Sequence, residues 1–328
     1  MKKLIVILGP TASGKSELAI KLAKKLAPYR PALFQKGGAG AGFNGAEIVS
    51  ADSRQVYKGM DIGTAKTVSA KQTRNKNAKQ TQNIIQGIPH HLIDVVYPNE
   101  EFNVAIYKKL AIKKIKDIQK RGKLPFLVGG TGLYIQAVVD NVNFPKVPSQ
   151  KELRKELEEK SAPELFKIYE KLDSKGTKFI EKENKRRLIR AIEVCKATGG
   201  SFWEKRKKER PLFEVLQIGI KSKKEELKKR IEKRVKRMFL LGLEREVENL
   251  TQKYGWKIPS MQTIGYQEWF STKNEKEEIK QEIIRHTIQF AKRQITWFKR
   301  DKRIKWIPFS THYSYQWAKK LINKFLEK

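Results

Sequence analysis

The chain opens on an unbroken apolar run, Leu4-Ile5-Val6-Ile7-Leu8, with no polar face. A short β-branched run of this kind, Lys3–Leu8, closed by glycine reads as a central parallel strand covered on both sides. Beyond Gly9–Ser16 the period changes. Leu18, Ala19, Leu22, Ala23 and Leu26 recur at helical spacing, so Glu17–Leu26 is expected to be an amphipathic helix. Residues 28–45, rich in Gly, Ala and Pro, follow no period and read as a flexible surface insertion. Buried strands are expected at Glu47–Ala51, His91–Val96 and Leu124–Val128, with a helix over Asn103–Lys120 and a tight turn at 129–132. The polar stretch 66–87 reads as a mobile loop.

This alternation of buried strands and amphipathic helices is the pattern of a doubly wound α/β sheet. From about Val147 the strand signal stops. Residues 150–205 read as charged amphipathic helix, interrupted near Pro163 and Gly199-Gly200. Val215–Ile220 then returns as a strand. Helices over 223–253 and 275–299, a short strand Ile304–Ile307 and a helix from about 313 complete the chain. No internal repeat is visible.

Composition narrows the class. With 328 residues, 39% of them hydrophobic, the chain is long enough to bury a sizeable core. No stretch is long and apolar enough for a membrane span, and the N-terminal apolar run is too short for a signal-peptide core. A cytoplasmic protein without membrane attachment is expected. The single cysteine, Cys195, excludes a disulfide framework and a zinc finger. Lys and Arg number 71 against 35 Asp and Glu, a net charge of +36. So large an excess points to a polyanionic partner, nucleic acid above all.

The segment Gly9-Pro10-Thr11-Ala12-Ser13-Gly14-Lys15-Ser16 matches the phosphate-loop pattern G-x-x-x-x-G-K-[ST], between an expected strand and an expected helix. Its glycines let backbone N–H groups and the helix N-terminus wrap a phosphate chain. Lys15 adds a point charge, and the Ser16 hydroxyl is placed to ligate Mg²⁺. Asp52, at the end of the second strand, lies at the carboxyl edge where ligands bind in such sheets. It could serve as a metal ligand, a general base or a helix N-cap. Thr131, in Gly129-Gly130-Thr131-Gly132, follows another strand at the same edge and either binds phosphate or belongs to a structural turn. Arg186, Arg187 and Arg190 fall on adjacent helical turns. Arg230 and Arg234 share a helix face, as either solvated charge or a phosphate clamp. Residues 290–300, FAKRQITWFKR, interleave basic and aromatic side chains, as RNA-binding helices do and as a core face with a basic rim also does. His90 and His91 have no companion ligands to make a metal site.

Taken together, the tracts GPTASGKS (9–16), SADSRQVYKGMDIGTAK (50–66), PHHLIDV (89–95), LPFLVGGTGLY (124–134), NKRRLIRAIEV (184–194), TIGYQE (263–268) and AKRQITWFKRD (291–301) resemble the tRNA dimethylallyltransferase family, in the family's order and over nearly the whole chain. The resemblance implies an α/β fold: a P-loop, nucleotide-kinase-like parallel sheet core (1–145 and 206–328) with an all-helical insertion domain (146–205) that grips the anticodon stem-loop. It implies transfer of a dimethylallyl group from dimethylallyl diphosphate to N6 of the adenosine 3′ to the anticodon, in tRNAs reading codons that begin with U. On this chain, the loop Gly9, Pro10, Thr11, Ala12, Ser13, Gly14, Lys15 and Ser16 would bind diphosphate rather than ATP, with Mg²⁺ as cofactor. Asp52 would deprotonate the amine, and Thr131 and Arg234 would hold the leaving group with support from Arg230. Asp52, Ser53, Arg54, Gln55, Arg154, Arg186, Arg187, Arg190, Thr263, Gly265, Tyr266, Lys292 and Arg293 would contact tRNA. A monomer is expected. The competing readings are a small-molecule P-loop kinase, a transferase prenylating free adenine nucleotides, and a non-enzymatic RNA-binding module.

Overall fold

A computed structural model describes residues 2–25, 43–66, 72–73, 82–204, 208–270, 275–310 and 313–328. Most of the expected insertion (28–42) and much of the expected loop 66–87 lie outside the described residues. The chain divides into two compact units, Met1–Val138 with Leu212–Lys328, and Val139–Pro211.

The first unit is built on eight strands: β1 (Lys2–Leu8), β2 (Ala46–Ala51), β3 (Gln72–Thr73), β4 (Gln82–Ile85), β5 (Ile88–His91), β6 (Leu124–Gly129), β7 (Phe213–Lys221) and β8 (Lys305–Pro308). Their order in the sheet is β3-β4-β5-β2-β6-β1-β7-β8. The six strands from β5 to β8 pair in parallel, and β3 and β4 add an antiparallel margin. In β1, Leu4 through Leu8 are wholly buried, as the unbroken apolar run requires.

Helices cover the sheet. α1 (Lys15–Lys25) follows the phosphate loop and buries Leu18, Ala19, Leu22 and Ala23. α2 (Val104–Lys120) starts at Asn103, whose side chain accepts from the backbone N–H groups of Ala105 and Ile106. A short α3 (Gly132–Val139) follows β6 directly. A second core joins Val56, Tyr57 and Met60 to α7 (Lys224–Leu240), α8 (Leu243–Tyr254) and α9 (Lys276–Lys299). α10 (Tyr313–Leu326) ends the unit.

Three expectations change. The third buried strand does not run over His91–Val96. It ends at His91, because Leu92 and Asp94 take positive φ (62° and 56°), which leaves no extended strand beyond. Within the expected loop 66–87, the described residues include β3 and β4, since β4 turns back through Gln86 and Gly87 onto β5. The expected helix 223–253 is two helices, separated at Gly242, which sits at φ 90°.

The second unit is helical: α4 (Lys151–Glu158), α5 (Ala162–Leu172) and α6 (Lys185–Thr198) around a core of Leu157, Leu165, Tyr169, Leu188 and Ile192. Pro163 marks the expected interruption of the helical run, at 159–161 between α4 and α5. It stands in the first turn of α5, where its missing N–H costs nothing, behind a capping box of Ser161 and Glu164. The unit starts at Val139 rather than 146, since the segments that enter and leave it are joined. Val142 bridges Lys208, and Asn141 donates to the Arg210 carbonyl at 3.0 Å.

Candidate active site

The carboxyl ends of β2, β6 and β1 lie side by side; β6 comes later in the chain yet sits between the other two, and from it the chain reverses its direction across the sheet to reach β7 beyond β1. Ligands of parallel α/β sheets bind at such a reversal of strand order. The sequence places the phosphate loop after β1, Asp52 after β2 and Gly129–Thr131 after β6, so the three tracts meet in one cavity of about 460 Å³.

The loop is held from outside. Gly14 takes φ 78°, and a Cβ there would stand 2.9 Å from the Phe309 ring. The Thr11 N–H donates to Gln294 Oε1 of α9 at 2.8 Å, while Gln294 Nε2 donates to the Gly130 carbonyl at 2.8 Å. One buried amide thus ties the phosphate loop to the β6 turn. The Ser13 hydroxyl is buried without a hydrogen-bond partner among the described residues.

Lys15 Nζ donates to the Pro10 carbonyl at 3.2 Å. Burial lowers its pKa to about 8; Asp52 opposes that shift and Arg234 adds to it. Arg234, from α7, donates to Thr11 Oγ1 at 2.9 Å and toward the Thr64 carbonyl at 3.4 Å. Burial lowers its pKa too, with Asp52 opposing. Two cations desolvated beside one carboxylate are poised for an anion with more than one charge.

Asp52 caps its own turn: Oδ1 accepts from the N–H groups of Arg54 (2.8 Å) and Gln55 (3.4 Å). The side chain is thereby oriented, and Oδ2 makes no protein hydrogen bond among the described residues. The capping and chemical readings of Asp52 are therefore compatible. Thr131 is also a turn residue, accepting from the Ser53 N–H at 3.0 Å through Oγ1. It fastens the β6 turn to the residues after Asp52. Asp52 is the one carboxylate among the described residues lining the cavity.

Other expected residues separate. Ser53, Arg54, Gln55, Thr263, Gly265 and Arg293 line the cavity, and Lys292 is exposed beside Arg293. Tyr266 lies in no contact surface. It is wholly buried, its ring fills the space above Gly63, and its hydroxyl donates to Glu246 at 2.8 Å. Arg230 is not among the lining residues. It stacks on Phe309 at 3.6 Å, donates to Ser222 Oγ at 2.6 Å and brings Nη1 to 3.8 Å from Glu226, while Nε is buried without a hydrogen bond among the described residues. In the helical unit, Arg154 pairs with the buried Glu193 through two bonds of 2.9 Å, and Arg190 binds the same carboxylate and the Val147 carbonyl. Arg186 is exposed, and Arg187 lies 5.1 Å from the Trp203 ring centre.

Gln294, Thr64, Phe290 and Glu246 were not anticipated. Gln294 and Phe290 stand in the tract 290–300, where their helical spacing of four marks one face; which side of α9 faced the site was not readable from spacing.

The metal question can be tested on the donors. Among the described residues no group of three or more His, Cys, Asp or Glu could hold a metal ion. Ser16 and Asp52, both lining the cavity, offer hard oxygens. That set suits Mg²⁺, which binds through one or two protein oxygens, phosphate oxygens and water, and suits softer metals poorly.

Fold and site together define a phosphate-loop α/β protein with a carboxylate aimed beside a doubly cationic anion site. The comparisons sharpen that class. Residues 55–301 match the family model for IPP transferase. The chain is 41% identical to the tRNA dimethylallyltransferase of Pelotomaculum thermopropionicum over 93% of this chain and 90% of that one, and 40% identical to that of Moorella thermoacetica over 92% and 89%. The crystal structure of the full-length tRNA isopentenylpyrophosphate transferase of Bacillus halodurans superposes with a TM-score of 0.68 at 34% identity, covering 100% of this chain and 97% of that one. A eukaryotic dimethylallyltransferase acting on tRNA superposes with a TM-score of 0.75 at 26% identity, covering 100% and 80%. The chain belongs to the IPP transferase family.

Proposed function

We propose that this protein transfers the dimethylallyl group of dimethylallyl diphosphate to N6 of the adenosine at tRNA position 37, in tRNAs reading codons that begin with U, and releases diphosphate. The observation that carries the reading is the single cavity in which Lys15, Arg234, Asp52 and Thr131 converge, with one carboxylate against two desolvated cations.

The chemistry follows from those charges. An allylic C–O bond breaks readily once negative charge gathering on the leaving oxygens is stabilised. Lys15, Arg234 and the backbone N–H groups of the loop are preorganised for that task. Ser16 and Asp52 are the residues that would hold Mg²⁺, which when bound would supply further neutralisation of the diphosphate. The exocyclic amine of adenine is a weak nucleophile. Asp52, locked by its own turn, orients the amine through Oδ2 and takes its proton as the C–N bond forms. A stacked adenosine must leave the anticodon loop to enter, at a cost of a few kcal/mol that basic surfaces offset. Thr263, Gly265, Arg54 and Gln55 on the cavity wall, with Lys292 and Arg293 on α9, would receive that nucleotide and its neighbours; Arg186 and Arg187 would meet the stem. Arg230, half-buried against Phe309 and paired with Glu226 at 3.8 Å, would lend support from behind the loop.

No helix among the described residues is long and apolar enough to cross a membrane. We read the protein as a cytoplasmic monomer acting on tRNA.

The test is to incubate unmodified tRNA with protein, Mg²⁺ and dimethylallyl diphosphate, then analyse the nucleosides by mass spectrometry. Adenosine heavier by one C5H8 unit is expected. ATP hydrolysis or phosphate transfer without a new nucleoside would return the chain to the kinases.

A further inference from the structure

Glu246 takes no part in the chemistry above, yet its carboxylate accepts four hydrogen bonds beside the cavity. It stands in the first turn of α8 and reaches the segment after Met60. Oε2 accepts from the N–H groups of Asp61 (3.0 Å) and Ile62 (2.8 Å), and Oε1 from the Gly63 N–H (3.0 Å) and the Tyr266 hydroxyl (2.8 Å). Four donors occupy the acceptor capacity of one carboxylate. An amide could not replace it, since its NH₂ would face backbone N–H groups.

Both walls anchored here line the cavity. On one side, Gly63, Thr64 and Ala65 follow directly, and the Thr64 carbonyl accepts from Arg234 and from Gln55 Nε2, each at 3.4 Å. The far end of that segment is pinned by Lys66, which donates to the Tyr57 carbonyl and to Asp61 and Asp94. On the other side, Tyr266 ends the stretch Thr263–Gly265. A Cβ on Gly63 would stand 2.5 Å from the Tyr266 ring, and one on Gly265 would stand 3.3 Å from the Gly63 carbonyl. The two walls are interlocked glycine against glycine, with Glu246 as their common anchor.

We propose that Glu246 is a positioning residue: it sets the wall that holds Arg234 at the leaving-group site and, through Tyr266, couples that wall to the Thr263–Gly265 loop that takes the tRNA. The inference rests on the functional reading above, so its test includes a readout that needs no prenyl transfer. Inorganic diphosphate binding is measured by calorimetry in the wild type, Glu246→Gln and Tyr266→Phe. Steady-state kinetics with tRNA and thermal melts accompany it.

Glu246→Gln should weaken diphosphate binding severalfold and lower kcat about tenfold at temperatures well below its melting point. Tyr266→Phe, which removes only the link between walls, should raise KM for tRNA severalfold with kcat nearly unchanged. In a double-mutant cycle, Glu246→Gln and Arg234→Lys should be non-additive in kcat/KM. A lower melting point with unchanged diphosphate affinity and kinetics would make Glu246 a fold element only and overturn the proposal, as would fully additive losses. Failure of the wild type to prenylate tRNA, with the diphosphate effects present, would instead overturn the functional reading alone.

Discussion

Two pairs of helical arginines in this protein end in different electrostatic states. On α7, Arg234 finds neutral oxygens, while Arg230 holds the Ser222 hydroxyl and pairs with Glu226 at 3.8 Å. Arg234 holds a hydroxyl and a carbonyl, and burial lowers its pKa with the nearby Asp52 opposing. Arg154 and Arg190 in the helical unit converge on Glu193, which also accepts from the Gln150 N–H at 2.7 Å. Burial works to raise the Glu193 carboxyl, but Arg154, Gln150 and Arg190 hold it below the usual range. A buried cation given only dipoles keeps its field for a ligand; one given a buried carboxylate has spent most of it on the fold. Position on a helix does not distinguish the two cases, whereas the partner does.

The sharpest probe of the ligand-facing half is the carboxylate itself. Asp52→Ala should lower single-turnover prenylation by about 10²–10⁴ while tRNA affinity changes little; equal losses in both would make Asp52 a binding residue. Arg234→Ala should raise the barrier by about 3–4 kcal/mol, read as kcat/KM for dimethylallyl diphosphate, with little change in melting temperature. Arg154→Ala should show the reverse, a loss of about 1–3 kcal/mol in denaturant melts with near-normal kcat. The lower end is favoured because the Arg154 side chain is 38% exposed and Arg190 remains. Unchanged stability with a raised KM for tRNA would place Arg154 with the ligand-facing pair after all.

A pH series tests the same contrast more gently. With Lys15 lowered to about 8, the free protein loses that charge as pH rises through about 8, whereas bound diphosphate favours the ammonium. Diphosphate affinity should therefore hold below about 8 and fall above it, by at most about tenfold per pH unit. Asp52→Asn removes the charge that holds the Lys15 value up, so the break should move to lower pH. A break that stays in place would mean that Asp52 does not act on Lys15. The smallest effect is expected at Arg187, stacked at the surface on Trp203: alanine there should cost under about 1 kcal/mol in stability.

Much of this was legible early because the signals were local. The apolar run of β1, the phosphate loop and the helix after it are consecutive in sequence, and their periods change where the structure changes. The helical unit showed itself by the loss of strand pattern from Val147. Other features were not local. Strand β5 stops short because Leu92 and Asp94 adopt left-handed backbone, and β4 gains its place only by pairing with β5. α3 is too short and too uniformly apolar for a helical stripe to stand out. Tyr266 read as an RNA contact within TIGYQE, yet it is core, because Gly63 leaves a space that only the folded chain brings to it.

What the sequence by itself determined is the kind of chemistry: a phosphate loop in its strand–helix setting, a carboxylate at the carboxyl edge of the next strand, and a charge excess suited to a polyanion. Each rests on residues close together in the chain, whose backbone geometry and charge are set locally. The tertiary structure decided which of many similar side chains take part. Gln294 joins Thr11 across 283 positions, Arg234 joins Thr11 across 223, and Glu246 gathers the N–H groups of residues 61–63 across about 185. Hydrogen bonding and desolvation depend on who is within 3 Å, and that is a property of the fold rather than of spacing along the chain.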